Sequence, residues 1–189
     1  MELPEVFTNL PNIETERILM RAIELDDAPD VFQFAKDPDV LKYSIGDYHQ
    51  SEEESERFIQ SIHHAYENNL AGIWGITIKP DPTVVGTCGF ELWFPDHYRA
   101  EIGYSLVKRL WHKGYGTEAV KAMIEFGFTS ELKLNRIEAT CQEGNIYSSR
   151  ILEKMGMKRE GLLRKHTYSR GVFNDVYMYS LLKSEYLGK

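Results

Sequence analysis

The chain has 189 residues, 42% of them hydrophobic and 27% charged, which suits one domain (1–189) with a full core and is short for two. No apolar run approaches the roughly 18 residues of a membrane span, and the N-terminal stretch lacks a basic-then-apolar signal, so a cytoplasmic protein is expected. The net charge of −7 disfavours non-specific nucleic-acid binding, which depends on Lys and Arg neutralising phosphates; it suits a cationic substrate, or plain solubility.

In chain order, "RILMRAI" (17–23) alternates polar and apolar residues and predicts a strand. "LDDAPDVFQFAKD" predicts a helix with Asp26 and Asp27 as cap candidates, Pro29 in the first turn, and Ala28, Val31, Phe32 and Ala35 on one face. A second amphipathic helix follows, with Ser51 and Glu54 spaced as a capping box and Phe58, Ile62 and Tyr66 at four-residue intervals. Three strand-like runs come next, 71–79, 83–93 and 98–107, the first two joined by the turn "PDPT". In the third, Tyr98, Ala100, Ile102, Tyr104 and Leu106 alternate with Arg99, Glu101, Gly103 and Ser105. A glycine corner then opens a helix to about Phe128. A strand at 134–142, a helix at 145–156 stopped by Gly156, and a closing hairpin complete the chain. The order β-αα-βββ-α-β-α-ββ predicts an α/β protein of the α+β type. Its central sheet is mixed and largely antiparallel, with about seven strands and helices on both faces. Cys88 and Cys141 lie in apolar strand runs and read as buried thiols.

The corner "WHKGYGTEA" (111–119) carries the first chemical signal. A helix N-terminus presents unpaired N–H groups and the positive end of the dipole, and glycines let the backbone approach an anion closely. The context fits a pyrophosphate cradle. It is neither a P-loop nor a dinucleotide-binding glycine turn, because both spacings fail. Taken alone, the stretch also fits an ordinary tight turn.

Downstream, "NIYSSRILEKMGMKREG" follows a strand and opens a helix at Asn145. The two segments together resemble the GNAT superfamily of acetyl-CoA-dependent N-acetyltransferases. The first resembles its pyrophosphate loop and the second its Asn-led helix. "AEIGYSLV" and the tail "REGLLR…RGVFNDVYMYSLL" resemble the Rim-type branch, which includes ribosomal-protein N-terminal acetyltransferases. The resemblance spans about residues 15–183. Trp111, Met157 and Leu152 depart from it; at Leu152 many relatives place a tyrosine that protonates the leaving thiolate.

The resemblance implies that acetyl-CoA is the cosubstrate and that its pantetheine arm slots beside the third strand, pairing with backbone near Ile102, Tyr104 and Leu106. Amides of Lys113, Gly114, Tyr115, Gly116 and Thr117 would hold the pyrophosphate, and Asn145 would cap its helix and contact the coenzyme. An amine is mostly protonated at neutral pH, so a base is needed. Glu101 is the first candidate, and it reads equally as a solvated strand residue. Glu91 and His166 are alternatives. Ser148, in the first turn of the Asn145 helix, is the candidate to settle the thiolate. Tyr43, Tyr48 and Trp74 fit either an acceptor pocket or the core.

No metal-ligand spacing is present, so no metal is expected. No Cys or Ser sits with a His/Asp pair, so direct attack in a ternary complex is favoured over an acyl-enzyme. The expected partner is an amine substrate: a ribosomal-protein N-terminus, or a small amine such as a polyamine, amino acid or aminoglycoside. No membrane or nucleic-acid partner is expected, and a homodimer is one expectation for the assembly. A non-catalytic acyl-CoA-binding module is the alternative from another class.

Overall fold

The computed structural model describes residues 4–188. Its elements are β1 (Ile13–Glu14), β2 (Ile18–Arg21), α1 (Ala28–Ala35), α2 (Glu52–Glu67), β3 (Gly72–Ile78), β4 (Asp81–Phe94), β5 (Arg99–Leu106), α3 (Tyr115–Thr129), β6 (Arg136–Gln142), α4 (Ile146–Lys154), β7 (Lys158–Ser169), β8 (Val172–Leu182) and α5 (Lys183–Leu187). The strands form one sheet in the order β1-β2-β3-β4-β5-β6-β8-β7. All neighbours are antiparallel except β5 and β6.

This is the mixed, largely antiparallel architecture read from the sequence, with eight strands where about seven were expected. The additional strand, β1, has two residues, too few for alternation to show. The five-residue α5 likewise carries too little periodicity to be read in advance.

The sheet buries apolar side chains on both faces. On one, α3 places Ala119, Val120, Met123, Ile124 and Phe128 against Met20, Ile76, Phe90, Ile102 and Ile137. On the other, α1 and α2 bring Val31, Phe34, Ile59 and Ile62 onto Ile23 and Val84. Within α1 it is Phe34, not Phe32, that is buried; Phe32 lies half-exposed under the Lys36 ammonium, 4.8 Å from its ring centroid. The capping box expected at Ser51 forms differently. Glu54 accepts from the Gln50 N–H at 2.7 Å, and no side-chain cap bond comes from Ser51. Tyr98 precedes β5 in a left-handed conformation (φ 49°) and is exposed, so it does not share the buried face of Ala100 and Ile102. Among the described residues, no helix is long and apolar enough to cross a membrane.

An ion network ties β5, β6 and β7 together. Glu138 takes Arg99 at 2.6 Å and Arg136 at 2.5 Å, and Arg136 reaches on to Glu160 at 2.7 Å. Hydrogen bonds from Arg136 and then Ser180 hold the Glu160 carboxyl down at about 2. A carboxyl with a lowered folded value stabilises above its unfolded value, near ~4.3, and that contribution disappears as pH falls through the folded one. Glu160→Gln should therefore lower the denaturation midpoint at pH 7 by an amount that vanishes as the pH approaches 2. Urea titrations of both proteins across that range check this.

Candidate active site

β5 and β6 pair only at Arg99–Arg136, Ala100–Ile137 and Glu101–Glu138. Beyond that point β5 stays with β4 and β6 stays with β8, so the two strands part. The Val107 N–H points to β4, bonding the Val85 carbonyl at 2.8 Å. Main-chain groups alternate along a strand, so those of Leu106, Tyr104 and Ile102 point away from β4, into the gap. The Leu106 carbonyl is already used: the Trp111 indole donates to it at 2.6 Å, which fixes the corner to the end of β5. Trp111, read as a departure from the family pattern, therefore has a structural task.

At the corner, Gly114 adopts φ 86° and precedes the first turn of α3. A side chain there would be strained, which is why glycine occupies it. The Glu118 N–H is taken by the Gly114 carbonyl at 3.0 Å; among the described residues, the amides of Tyr115, Gly116 and Thr117 have no protein acceptor. Glu118 itself is committed to β2. Thr15 Oγ1 donates to it at 2.6 Å and Arg17 Nε at 2.6 Å, while Arg17 also donates to the Lys113 carbonyl and stacks on Tyr115. Burial works to raise the Glu118 carboxyl, but these hydrogen bonds outweigh it and the net shift is downward. The corner is thus braced from behind by an ion pair while its amides face outward. No local pattern points to Arg17, which lies 96 residues from Lys113.

Across the gap, α4 begins at Asn145, whose side-chain oxygen accepts the Ser148 N–H at 3.2 Å. The expected cap is present. The Ser148 hydroxyl lies 2.8 Å from the Tyr104 hydroxyl, so a phenol from β5 and an alcohol from α4 bridge the divergence. Burial pushes the Tyr104 phenol up, keeping it protonated at neutral pH. Leu152, at the position where tyrosine is familiar, is fully buried in the core. Cys141, also buried, has Ser149 Oγ 3.4 Å from its sulfur.

The opposite face of β5 carries Glu101, Gly103 and Ser105. Three carboxylates lie along this part of the sheet in different circumstances. Glu138 is neutralised by two guanidiniums. Glu101 accepts from Thr140 Oγ1 at 2.6 Å. Glu91 has no hydrogen-bond donor among the described residues; burial first and Glu101 second raise its carboxyl. Its side chain is exposed and lies across Gly103 of β5. It is the extra residue of a bulge: Phe90 pairs with Ile102 and Leu92 with Glu101, leaving Glu91 between them.

The connection between α1 and α2 is pinned at two points. Tyr43 donates to the Gly144 carbonyl at 3.0 Å. Arg170, at the β7–β8 tip, donates to the carbonyls of Gly46, Lys42 and Ser44 at 2.7, 2.9 and 3.1 Å and stacks on Tyr48. Trp74 belongs to the core: it is fully buried, packs on Phe126 and donates to the Pro11 carbonyl. His166 is exposed on β7, in a surface cavity shared with Leu162, Arg164 and Asp175, and is not gathered with the carboxylates. Among the described residues, no three His, Cys, Asp or Glu side chains are grouped to hold a metal ion.

Comparison with known proteins accords with this geometry. The acetyltransferase (GNAT) domain matches residues 17–158. The chain is 40% identical over 179 residues to the uncharacterized N-acetyltransferase p20 of Bacillus licheniformis, covering 95% of this chain and all of that one. A GNAT-family acetyltransferase from Bacillus anthracis superposes with a TM-score of 0.81 at 32% identity, over 93% of this chain and 100% of the other. The ribosomal-protein-S5-alanine acetyltransferase of Vibrio fischeri gives 0.80 at 22% identity, over 93% and 98%, and shares the fold. The chain belongs to the GNAT family of acetyltransferases.

Proposed function

We propose that this acetyltransferase moves the acetyl group of acetyl-CoA to a primary amine by direct attack, and that the amine is the α-amine at a protein N-terminus, of the ribosomal-protein kind. The observation that carries the reading is the continuity of two unfilled backbone surfaces. The outward edge of β5 at Ile102 and Tyr104 leads past the Leu106–Trp111 bond to the outward amides of Tyr115, Gly116 and Thr117. An extended amide-bearing arm suits the first by strand addition, and a diphosphate suits the second. Bound there, acetyl-CoA supplies a thioester carbonyl open to attack and a thiolate that must be stabilised as it leaves.

The residues around the edge divide the remaining work. Ser148 lies in the first turn of α4, near its positive end, with Tyr104 as a protonated partner 2.8 Å away. That pair settles developing charge on sulfur. Asn145 keeps the turn in place, and Lys113 and Gly114 shape the corner. The carboxylate face of Glu101 and Glu91 receives the amine as a cation. A protein α-amine accords with the Rim-type pattern in the sequence and with the alanine acetyltransferase named for its ribosomal substrate, whose fold this chain shares. A polyamine or other small amine is the competing acceptor, and the acidic face admits it too.

Thiol release from acetyl-CoA, with ribosomal-protein N-terminal peptides, spermidine and free lysine as acceptors, tests the proposal. Turnover confined to the peptides is expected. Spermidine alone as acceptor would overturn the protein-directed part, and no release with any amine would overturn the transfer reaction.

Two variants probe the parts. Gly114→Ala forces a side chain into φ 86°, so it should cost about 1–2 kcal/mol of stability in chemical denaturation, and it should weaken acetyl-CoA binding in calorimetry. Ser148→Ala and Tyr104→Phe should each lower kcat with little change in the Kd for acetyl-CoA. The double variant should lose scarcely more than the worse single one, because the two hydroxyls act as a unit.

A further inference from the structure

We infer that Glu91, seated over Gly103 by the β4 bulge, is the group that takes the proton from the acceptor amine, and that Glu101 is its electrostatic partner and not the base. The inference rests on the acetyl-transfer reading above and deepens it by choosing between two neighbouring carboxylates.

The geometry is specific. A regular β4 would carry Glu91 as an ordinary strand residue; the bulge adds it as an unpaired residue and re-aims its side chain. The carboxylate then lies where the side chain of residue 103 would otherwise be. A Cβ built on Gly103 would meet Glu91 Oε1 at 2.0 Å, Cδ at 2.1 Å and Oε2 at 2.7 Å. Gly103 sits between Ile102 and Tyr104, whose outward main chain lines the gap. The Glu91 carboxylate therefore rests on β5 next to the slot, with no donor among the described residues occupying its oxygens.

Its neighbours are less suited to the task. Glu138 is held by Arg99 and Arg136. Glu101 already accepts the Thr140 hydroxyl at 2.6 Å, so one of its oxygens is occupied. A fixed negative charge at Glu101 in turn makes Glu91 the better proton acceptor, alongside the burial that raises its carboxyl first. Glu101 on β5 is the charged group acting on Glu91; Cys88 on its own strand is a fully buried thiol that burial raises, so it stays neutral.

In the reaction the ammonium gives one proton to a Glu91 oxygen. The freed nitrogen lone pair bonds to the acetyl carbon while the carbon–sulfur bond breaks. The departing sulfur takes a proton from the Ser148–Tyr104 hydroxyl pair, which regains it from solvent, and the amide nitrogen sheds its remaining excess proton to solvent. Glu91 returns its own proton to solvent before the next turnover.

The test is the pH dependence of kcat for wild type, Glu91→Gln, Glu101→Gln and Gly103→Ala, using the best acceptor of the panel above. Calorimetry with acetyl-CoA checks that each variant is folded. Glu91→Gln should lose about 100-fold or more in kcat together with the acidic limb of the profile. Gly103→Ala should show the same lost limb, since its methyl evicts the carboxylate without altering a titratable group. Glu101→Gln should keep a limb displaced to lower pH, because a like charge has been removed.

A readout independent of turnover is the melting temperature. A raised folded carboxyl favours folding below its unfolded value and loses that advantage as pH rises through the folded one. Glu91→Gln should therefore melt higher than wild type at pH 8 and not at pH 4. An unchanged limb in Glu91→Gln, or a limb abolished in Glu101→Gln, would overturn the inference alone. Wild-type protein that releases no thiol with any amine would overturn it together with the proposed function.

Discussion

The parting of β5 from β6 after three residue pairs governs the rest of the molecule. A parallel pair that continued would satisfy its own main chain and leave no edge. Here β4 holds β5 on one side and β8 holds β6 on the other, so each strand is supported while, among the described residues, its inner edge beyond the Glu101–Glu138 pair has no strand partner. Exposed strand edges are normally a liability. This one is interior to the sheet, so it cannot pair with a chance neighbour, yet it remains open to a narrow extended ligand. Tyr104 and Ser148 close the opening at α4, and Trp111 closes it at the corner.

The two faces of β5 then have separate tasks. One face is core: Ala100, Ile102 and Leu106 pack under α3 and fix the strand's position. The other carries Glu101 and, lying across Gly103, the carboxylate of Glu91. Rigid packing on one side is what allows chemistry on the other, because a buried strand face cannot shift without losing contacts throughout the core. The same division explains why an uncompensated carboxylate such as Glu91 is tolerated. Its cost is local, and it is offset by a well-packed sheet in which Glu138 is held by two arginines and Glu101 by the Thr140 hydroxyl.

Much of the site could be read before the fold was seen. The glycine corner, the Asn145 cap and the placement of Ser148 in the first turn of α4 are local patterns, each complete within a few residues, and they stand where the spacing put them. Phe32, Tyr98 and the Ser51 box show the limits of the same method. In α1, two phenylalanines two residues apart cannot both face inward, and only the docking of α1 on the sheet selects Phe34. At Ser51, the residue before it supplies the N–H that Glu54 bonds, a one-position change that local spacing does not resolve.

The sequence by itself determined the family, the order of strands and helices and the glycine corner that opens α3, because these follow from periodicity, glycine placement and capping over short stretches. Tertiary structure alone decided which carboxylate is left without a partner. The bulge at Glu91, the seating of its carboxylate over Gly103, the Thr140 hydroxyl on Glu101 and the meeting of Tyr104 with Ser148 are matters of register between strands and helices up to 44 residues apart. Such register is set by how two covered faces of a sheet pack at once, and no single segment of the chain contains that information.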